Sequence, residues 1–304
     1  MSVAVKNPPD LASRLVNGVL SIKPLADFAK HQARQMMIKR AEKIGVPWTK
    51  TVEQLQLRNW ETDLAKVQNH QISYPDYYLT SFHAYEQGNM SWLAAFEVES
   101  AAYAVHAKLW GGTNSEGDAK LRQSYHDVLK VEISQTPQNI LDLGCSVGLS
   151  TFALQEIYPH AKITGVDLSP YFLAVANYNS TQRQANINWV HGAAESTGLK
   201  DASYDLVSIC LVCHELPQSA TRQIFAEAKR LLTPGGYFAI MDMNPCSEAF
   251  KKMPPYVLTL LKSTEPYLDE YFSFDIKQAL IDAGFQTPSI SFNSPRHRTV
   301  IARV

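Results

Sequence analysis

From about residue 138 to the C-terminus, short apolar runs alternate with stretches whose apolar positions recur at helical spacing. Residues 139–143 form an apolar run ending at a glycine and read as a first strand, with 149–158 as the helix that follows. Residues 162–168 read as a second strand. Pro170 opens the next helix at a position that favours proline, and 187–191 read as a third strand. Residues 204–213 are almost continuously apolar, as expected of a strand buried on both faces. A helix over 218–232 is stopped by Pro234-Gly235-Gly236, and 237–243 read as a fifth strand. A helix over 274–283 capped by Gly284, then runs at 285–292 and 298–302 that read as a hairpin, complete the pattern. Strands alternating with helices predict an α/β fold: a doubly wound, seven-stranded, mostly parallel sheet. Such sheets bind ligands beyond the C-terminal ends of their strands.

The chain ahead of this region has a different texture. Residues 1–50 place apolar positions (Leu11, Leu15, Val16, Val19, Leu20, then Met36, Met37, Ile38 and Ile44) at roughly helical spacing among basic residues. Residues 51 to about 135 look helical and rich in aromatics. The expected organisation is an N-terminal helical extension over 1–135 that shapes the substrate side, then a nucleotide-binding domain over 136–304 with an inserted cap segment at about 245–273.

Charge refines this picture. The 304 residues carry a net charge of -1, which gives no electrostatic sign of nucleic-acid binding. That average hides a segment of +6 over residues 1–50 against -7 for the remainder. A basic amphipathic helix suits an anionic membrane surface, and equally a helix packed on the domain with a solvated basic face. Four cysteines in 304 residues are too few for a disulfide framework and suggest a reduced, cytoplasmic setting. No apolar run is long enough to span a bilayer, and the N-terminus lacks a signal peptide's pattern.

The first strand leads into Asp142-Leu143-Gly144-Cys145-Ser146-Val147-Gly148. Glycines let the backbone turn sharply and approach a ligand, and the following helix aims its N-terminus at it. A dinucleotide fingerprint needs glycines where Ser146 and Leu149 stand, and a phosphate-binding loop needs Gly-Lys-Ser/Thr, so neither fits. The second strand ends in Gly165-Val166-Asp167-Leu168-Ser169, where a carboxylate can accept hydrogen bonds from ribose hydroxyls.

The run 140–148 resembles the first motif of class I S-adenosylmethionine-dependent methyltransferases, and 165–169 resembles the second. Residues 204–207 and 231–236 are similar to the motifs around strands four and five. The likeness extends over roughly 165 residues. It is greatest to the small-molecule methyltransferases that include ubiquinone and menaquinone biosynthesis enzymes. The resemblance implies S-adenosyl-L-methionine as cofactor. It implies Asp142 near the methionine end, Gly144, Cys145, Ser146 and Gly148 around the methionine and ribose, and Asp167 on the ribose. It also implies Leu168 on the adenine face, Ala193 and Ala194 along its edge, and Cys210 and Leu211 near the sulfonium. Two departures stand out. Ser146 replaces a common third glycine, and Gly192-Ala193-Ala194-Glu195 lacks the usual acceptor for the adenine amine.

The cofactor's methyl is already activated, so the protein mainly positions the reactants and manages a proton. His214, just after strand four, is the best-placed base; the alternative is a loop support bonded to backbone. Cys210 and Cys213 are half a zinc set with no second pair nearby, so no metal is expected. The Asn/Asp-Pro-Pro-aromatic motif of amide and base-amine methylation is missing after strand four. Aromatics around Tyr74 to Trp92, with His83, Tyr85 and Trp92 as substrate-binding candidates, and around 243–272 suit a flat or apolar acceptor. The expected activity is O- or C-methylation of a small aromatic or lipid-soluble acceptor, with peripheral membrane contact through the basic segment as one way of reaching it. The alternatives are protein methylation and a non-catalytic cofactor-binding regulator.

Overall fold

The computed structural model describes residues 23–83 and 85–304. The apolar positions expected at residues 11 to 20 lie outside that range. Among the described residues five α-helices precede the sheet: α1 (Lys23–Lys43), α2 (Trp48–Gln56), α3 (Glu61–Val67), α4 (Trp92–His106) and α5 (Gly117–Glu132). The alternating region follows as β1 (Asn139–Leu143), α6 (Leu149–Ile157), β2 (Lys162–Asp167), α7 (Pro170–Arg183), β3 (Ile187–His191) and β4 (Tyr204–Cys210). Then come α8 (Gln218–Leu231), β5 (Leu232–Met243), α9 (Glu248–Lys251), α10 (Pro255–Thr264), α11 (Leu268–Phe272), α12 (Ile276–Asp282), β6 (Ser289–Ser291) and β7 (His297–Arg303).

The seven strands lie in the order β3-β2-β1-β4-β5-β7-β6. The first five are parallel, and β7 runs antiparallel to both of its neighbours, β5 and β6. The doubly wound, mostly parallel sheet is therefore as the alternation predicts. Helices cover both faces because β1 and β4 are apolar on both: Ile140 and Leu206 enter one core, and Leu141 and Val207 the other. The chain order reverses between β1 and β4, so the ends of β2, β1 and β4 form the switch point where a ligand crevice opens.

Local chemistry explains the boundaries. Ser169 caps α7 by accepting a bond from the Phe172 amide, with Pro170 in the first turn. Asp275 caps α12 through the Gln278 amide, so that helix starts later than the apolar pattern suggests. The apolar run 204–213 leaves the sheet at Cys210, because Leu211 takes a left-handed φ of 60° and Cys213–Glu215 curl into a 3₁₀ turn. Strand alternation therefore does not govern Cys213.

The N-terminal helices build a third apolar cluster against α7, with Trp48, Trp60 and Phe96 meeting Phe172 and Val175. The basic side of α1 divides. Arg34 turns inward to pair with Glu97 on α4, and Arg40 donates to the Ala104 carbonyl. Phe28 and Met36 stay 62% and 63% exposed. No helix among the described residues is long and apolar enough to cross a membrane.

Candidate active site

The floor of the crevice is built mainly from backbone. The Gly144 and Cys145 amides donate to the Val166 carbonyl at 2.8 and 3.0 Å, tying the loop after β1 to β2. Gly144 has a φ of +67°, and a Cβ there would lie 2.6 Å from Val212 Cγ2, so only glycine fits. The Ser146 amide donates to Asp167 Oδ2 and the Ser169 amide to Asp167 Oδ1, each at 2.8 Å. Each carboxylate oxygen keeps a second lone pair for a ligand. Burial pushes the Asp167 carboxyl up to about 6, against the opposing pull of those two amides. The buried Ser146 hydroxyl has no hydrogen-bond partner. It lies on the wall of the cavity and can receive a polar ligand.

A cavity of about 670 Å³ opens above this floor. Gly144, Cys145, Ser146, Asp167, Leu168, Ala194, Cys210 and Leu211 line it on one side, and His83, Tyr85 and His214 on the other. Most of the expected residues are thus brought together. Four are not on the cavity wall. Asp142 is 0% exposed beneath the loop, accepting bonds from Ser150 Oγ and Thr151 Oγ1 at 2.7 Å; it anchors the first turn of α6. Gly148 begins α6 with a φ of +93°, and a Cβ there would strike the Phe152 and Trp189 rings, so it is a packing glycine. Ala193 is taken into a bridge with Ser196, leaving Gly192, Ala194 and Glu195 on the wall. Trp92 stacks with Trp60, Phe96 and Tyr171 at 4.9–5.6 Å between centroids, so its ring serves the helical core.

The roof is a cluster of charged side chains from distant segments. His214, buried in the turn after β4, faces Asp242 Oδ1 on β5 through Nδ1 at 2.7 Å. Its Nε2 lies 3.6 Å from Glu265 Oε2 and 4.0 Å from Glu215 Oε1. Glu265 in turn lies 3.3 Å from His83 Nε2, and the His83 amide donates to the Thr264 carbonyl at 2.9 Å. Burial alone would lower the His214 imidazolium, but the Asp242 carboxylate overrides it and raises the pKa to about 10. Burial raises the Glu215 carboxyl to about 7, against the pull of His83 and His214. At neutral pH His214 is therefore cationic, and Glu215 is poised to gain or lose a proton. Nearby, Tyr77 donates to Glu195 at 2.6 Å. Among the described residues no group of three or more His, Cys, Asp or Glu side chains is arranged to hold a metal ion.

Sequence reasoning missed Asp242 beside His214 and gave Glu265 no role. Asp242 sits inside an apolar strand, and a charge at such a position was the available signal.

A family model described as a methyltransferase domain matches residues 140–236. The chain is 29% identical over 164 residues to an uncharacterised methyltransferase of Synechocystis, spanning 54% of this chain and 74% of the relative. It is 28% identical to a ubiquinone biosynthesis O-methyltransferase of Saccharophagus degradans, over 55% of this chain and 70% of the relative. It is 30% identical to a malonyl-[acyl-carrier protein] O-methyltransferase of Hahella chejuensis, over 55% of this chain but only 56% of that protein. In structure it is similar to the Haemonchus contortus phosphoethanolamine N-methyltransferase 2, solved in complex with S-adenosyl-L-methionine. That likeness has a TM-score of 0.51 and 16% identity, covering 77% of this chain and 60% of that one. At such identity the structural likeness speaks to the fold. The sheet order, the glycine loop followed by an acid at the end of β2, and the family match agree: the chain is a class I S-adenosylmethionine-dependent methyltransferase.

Proposed function

We propose that this enzyme methylates a small aromatic or lipid-soluble acceptor on oxygen or carbon, with the acceptor held between the glycine-loop floor and the His214 cluster. The cluster is the observation that supports this reading: a cation, two carboxylates and a second histidine in a cavity whose wall also carries Tyr77, Tyr78, Phe82, Leu216, Val257 and Leu261. Such a pocket suits an apolar body with one or two polar handles. Curated relatives named for ubiquinone biosynthesis agree with an acceptor of that kind.

The cofactor fits the floor. The free lone pairs of Asp167 suit the ribose hydroxyls, the unpartnered Ser146 hydroxyl lies beside the loop, and a side chain at Gly144 would close the space. Leu168 would pack on the adenine face and Ala194 along its edge, with Cys210 and Leu211 as the wall toward the acceptor. When bound, S-adenosylmethionine supplies a methyl group already activated on a sulfonium. The residues of this chain orient the acceptor and handle its proton. His214, oriented by Asp242, acts through its cavity-facing N–H, stabilising negative charge as it develops on the acceptor. Glu215 takes the departing proton, since its pKa lies close to working pH. His83, Tyr85 and Glu265 bound the acceptor from above.

Peripheral membrane contact through α1 is part of the proposal, supported by exposed Phe28 and Met36 on a helix that also exposes Lys39 and Lys43. Replacing those two lysines with glutamine is expected to weaken sedimentation with anionic vesicles.

Methyl transfer from radiolabelled S-adenosylmethionine into a cell extract, partitioned into lipid, aqueous and protein fractions, tests the acceptor class. Label in the lipid-soluble fraction is expected. Label confined to protein would overturn the small-molecule reading.

A further inference from the structure

A second cavity, of about 470 Å³, lies on the other side of α4 from the first. That helix divides the two. Ala94, Val98 and Ala101 line the cavity of the cofactor and acceptor, while Phe96, Glu99 and Tyr103, turned away by the helical period, line the second. Helices α2 and α7 close it with Leu55 and Tyr178. The space is that of a small-molecule site and not of a single buried water.

The charges on its wall select the ligand. Tyr103 donates its hydroxyl to Glu99 Oε1 at 2.8 Å, and Glu99 Oε2 has no partner among the described residues. Burial, reinforced by the Glu99 carboxylate, pushes the Tyr103 phenol up, so it stays a donor. The surrounding cations are engaged elsewhere. Arg34 pairs with Glu97, Arg58 pairs with Asp63 at 2.6 Å, and Arg183 lies over the Phe152 ring. Arg58 is the basic side chain on the wall, and the Tyr178 and Trp60 rings also cover its guanidinium, at 4.6 and 5.2 Å from their centroids. It is neutralised and covered, so it does not call for an anion. The unpaired Glu99 carboxylate calls for a cation, and aromatic ring faces favour one too. Leu55 and Phe96 add apolar surface for an organic body.

We propose that this second cavity binds a small organic cation, an ammonium group on an apolar body, with the Glu99 carboxylate as its counter-ion. The site is separate from the methyl-transfer site and does not rest on the acceptor reading. The competing role is purely structural: Glu99 as a solvated carboxylate that holds Tyr103 one helical turn away. A structural carboxylate would not distinguish a cation from a neutral molecule of the same shape.

The test titrates the full-length protein calorimetrically, at one ionic strength, with choline and with its neutral isostere 3,3-dimethylbutan-1-ol. The wild type is expected to prefer choline by about 30-fold, the worth of one charge-assisted contact together with the ring faces. Glu99→Gln keeps the shape and the acceptor for Tyr103 but removes the charge. In that variant the preference falls to within roughly threefold, with affinity for the alcohol unchanged. Glu265→Gln removes a carboxylate from the roof of the first cavity and is expected to leave both affinities as in the wild type. A wild type that binds the two ligands equally, or binds neither, overturns the proposal. So does a preference undiminished in Glu99→Gln. Choline binding that is lost in Glu265→Gln and kept in Glu99→Gln would place the cation under the roof and overturn it as well.

Discussion

The floor and the roof of the cavity are built by opposite means. The floor is backbone: two amides on Val166, two on Asp167, and a glycine where no Cβ fits, all within residues 144–169. The roof is side chain: His83 from the N-terminal region, His214 and Glu215 after β4, Asp242 on β5 and Glu265 after α10, meeting across the cavity at ion-pair distances. Apart from the Asp167 carboxylate, such a floor tolerates changes in side-chain chemistry but not in side-chain volume. A charged cluster tolerates neither the loss of a partner nor a change of protonation. The two halves should therefore respond to different perturbations.

The largest effect is expected on the roof. His214→Asn should lower kcat by about 1000-fold, since it removes the cation that stabilises charge on the acceptor. S-adenosylhomocysteine affinity should stay within a factor of about two, because the charged partners of His214 are Glu215, Asp242 and Glu265, none of them on the floor. Next, Gly144→Ala should weaken S-adenosylhomocysteine binding by about 30- to 100-fold, since strained φ and overpacking each cost roughly 1–3 kcal/mol. A normal affinity in that variant would show that the floor is not where the cofactor lies.

The pH dependence of kcat/KM sharpens the contrast. Glu215, raised by burial, must be ionised to accept a proton, so the rate should climb as pH passes about 7. His214, raised by Asp242 against its burial, must be protonated, so the rate should fall as pH passes about 10. A profile flat across both would remove the proton chemistry from the cluster. The smallest catalytic effect is expected at Trp92. Trp92→Ala should cost about 3 kcal/mol of stability, read by denaturant unfolding, through the lost packing on Trp60, Phe96 and Tyr171. It should leave the acceptor KM close to that of wild type.

The same contrast decides what was legible in the sequence. The strands, the glycine loop and Asp167 announce themselves because local spacing sets their geometry, and β1 and β3 keep the bounds the apolar pattern gives them. The exit of β4 at Cys210 was hidden, because Leu211 adopts a backbone angle that its side chain does not advertise. Asp142 and Gly148 belong to the recognisable loop, yet they support α6 and its packing rather than the cavity. Trp92 fell into the same aromatic-rich stretch as Tyr85; both pack on the helical cluster, and only Tyr85 also reaches the cavity wall. Asp242 could not be placed by spacing at all. Its partner His214 lies on another element, which is long-range information.

The most direct test of the division between floor and roof is Glu215→Gln, with S-adenosylhomocysteine affinity and methyl-transfer rate measured on one preparation. The account predicts affinity within a factor of about two of wild type and a rate lower by about 100-fold, with the rise near pH 7 abolished. Affinity and rate falling together, or a rate that does not change, would contradict it.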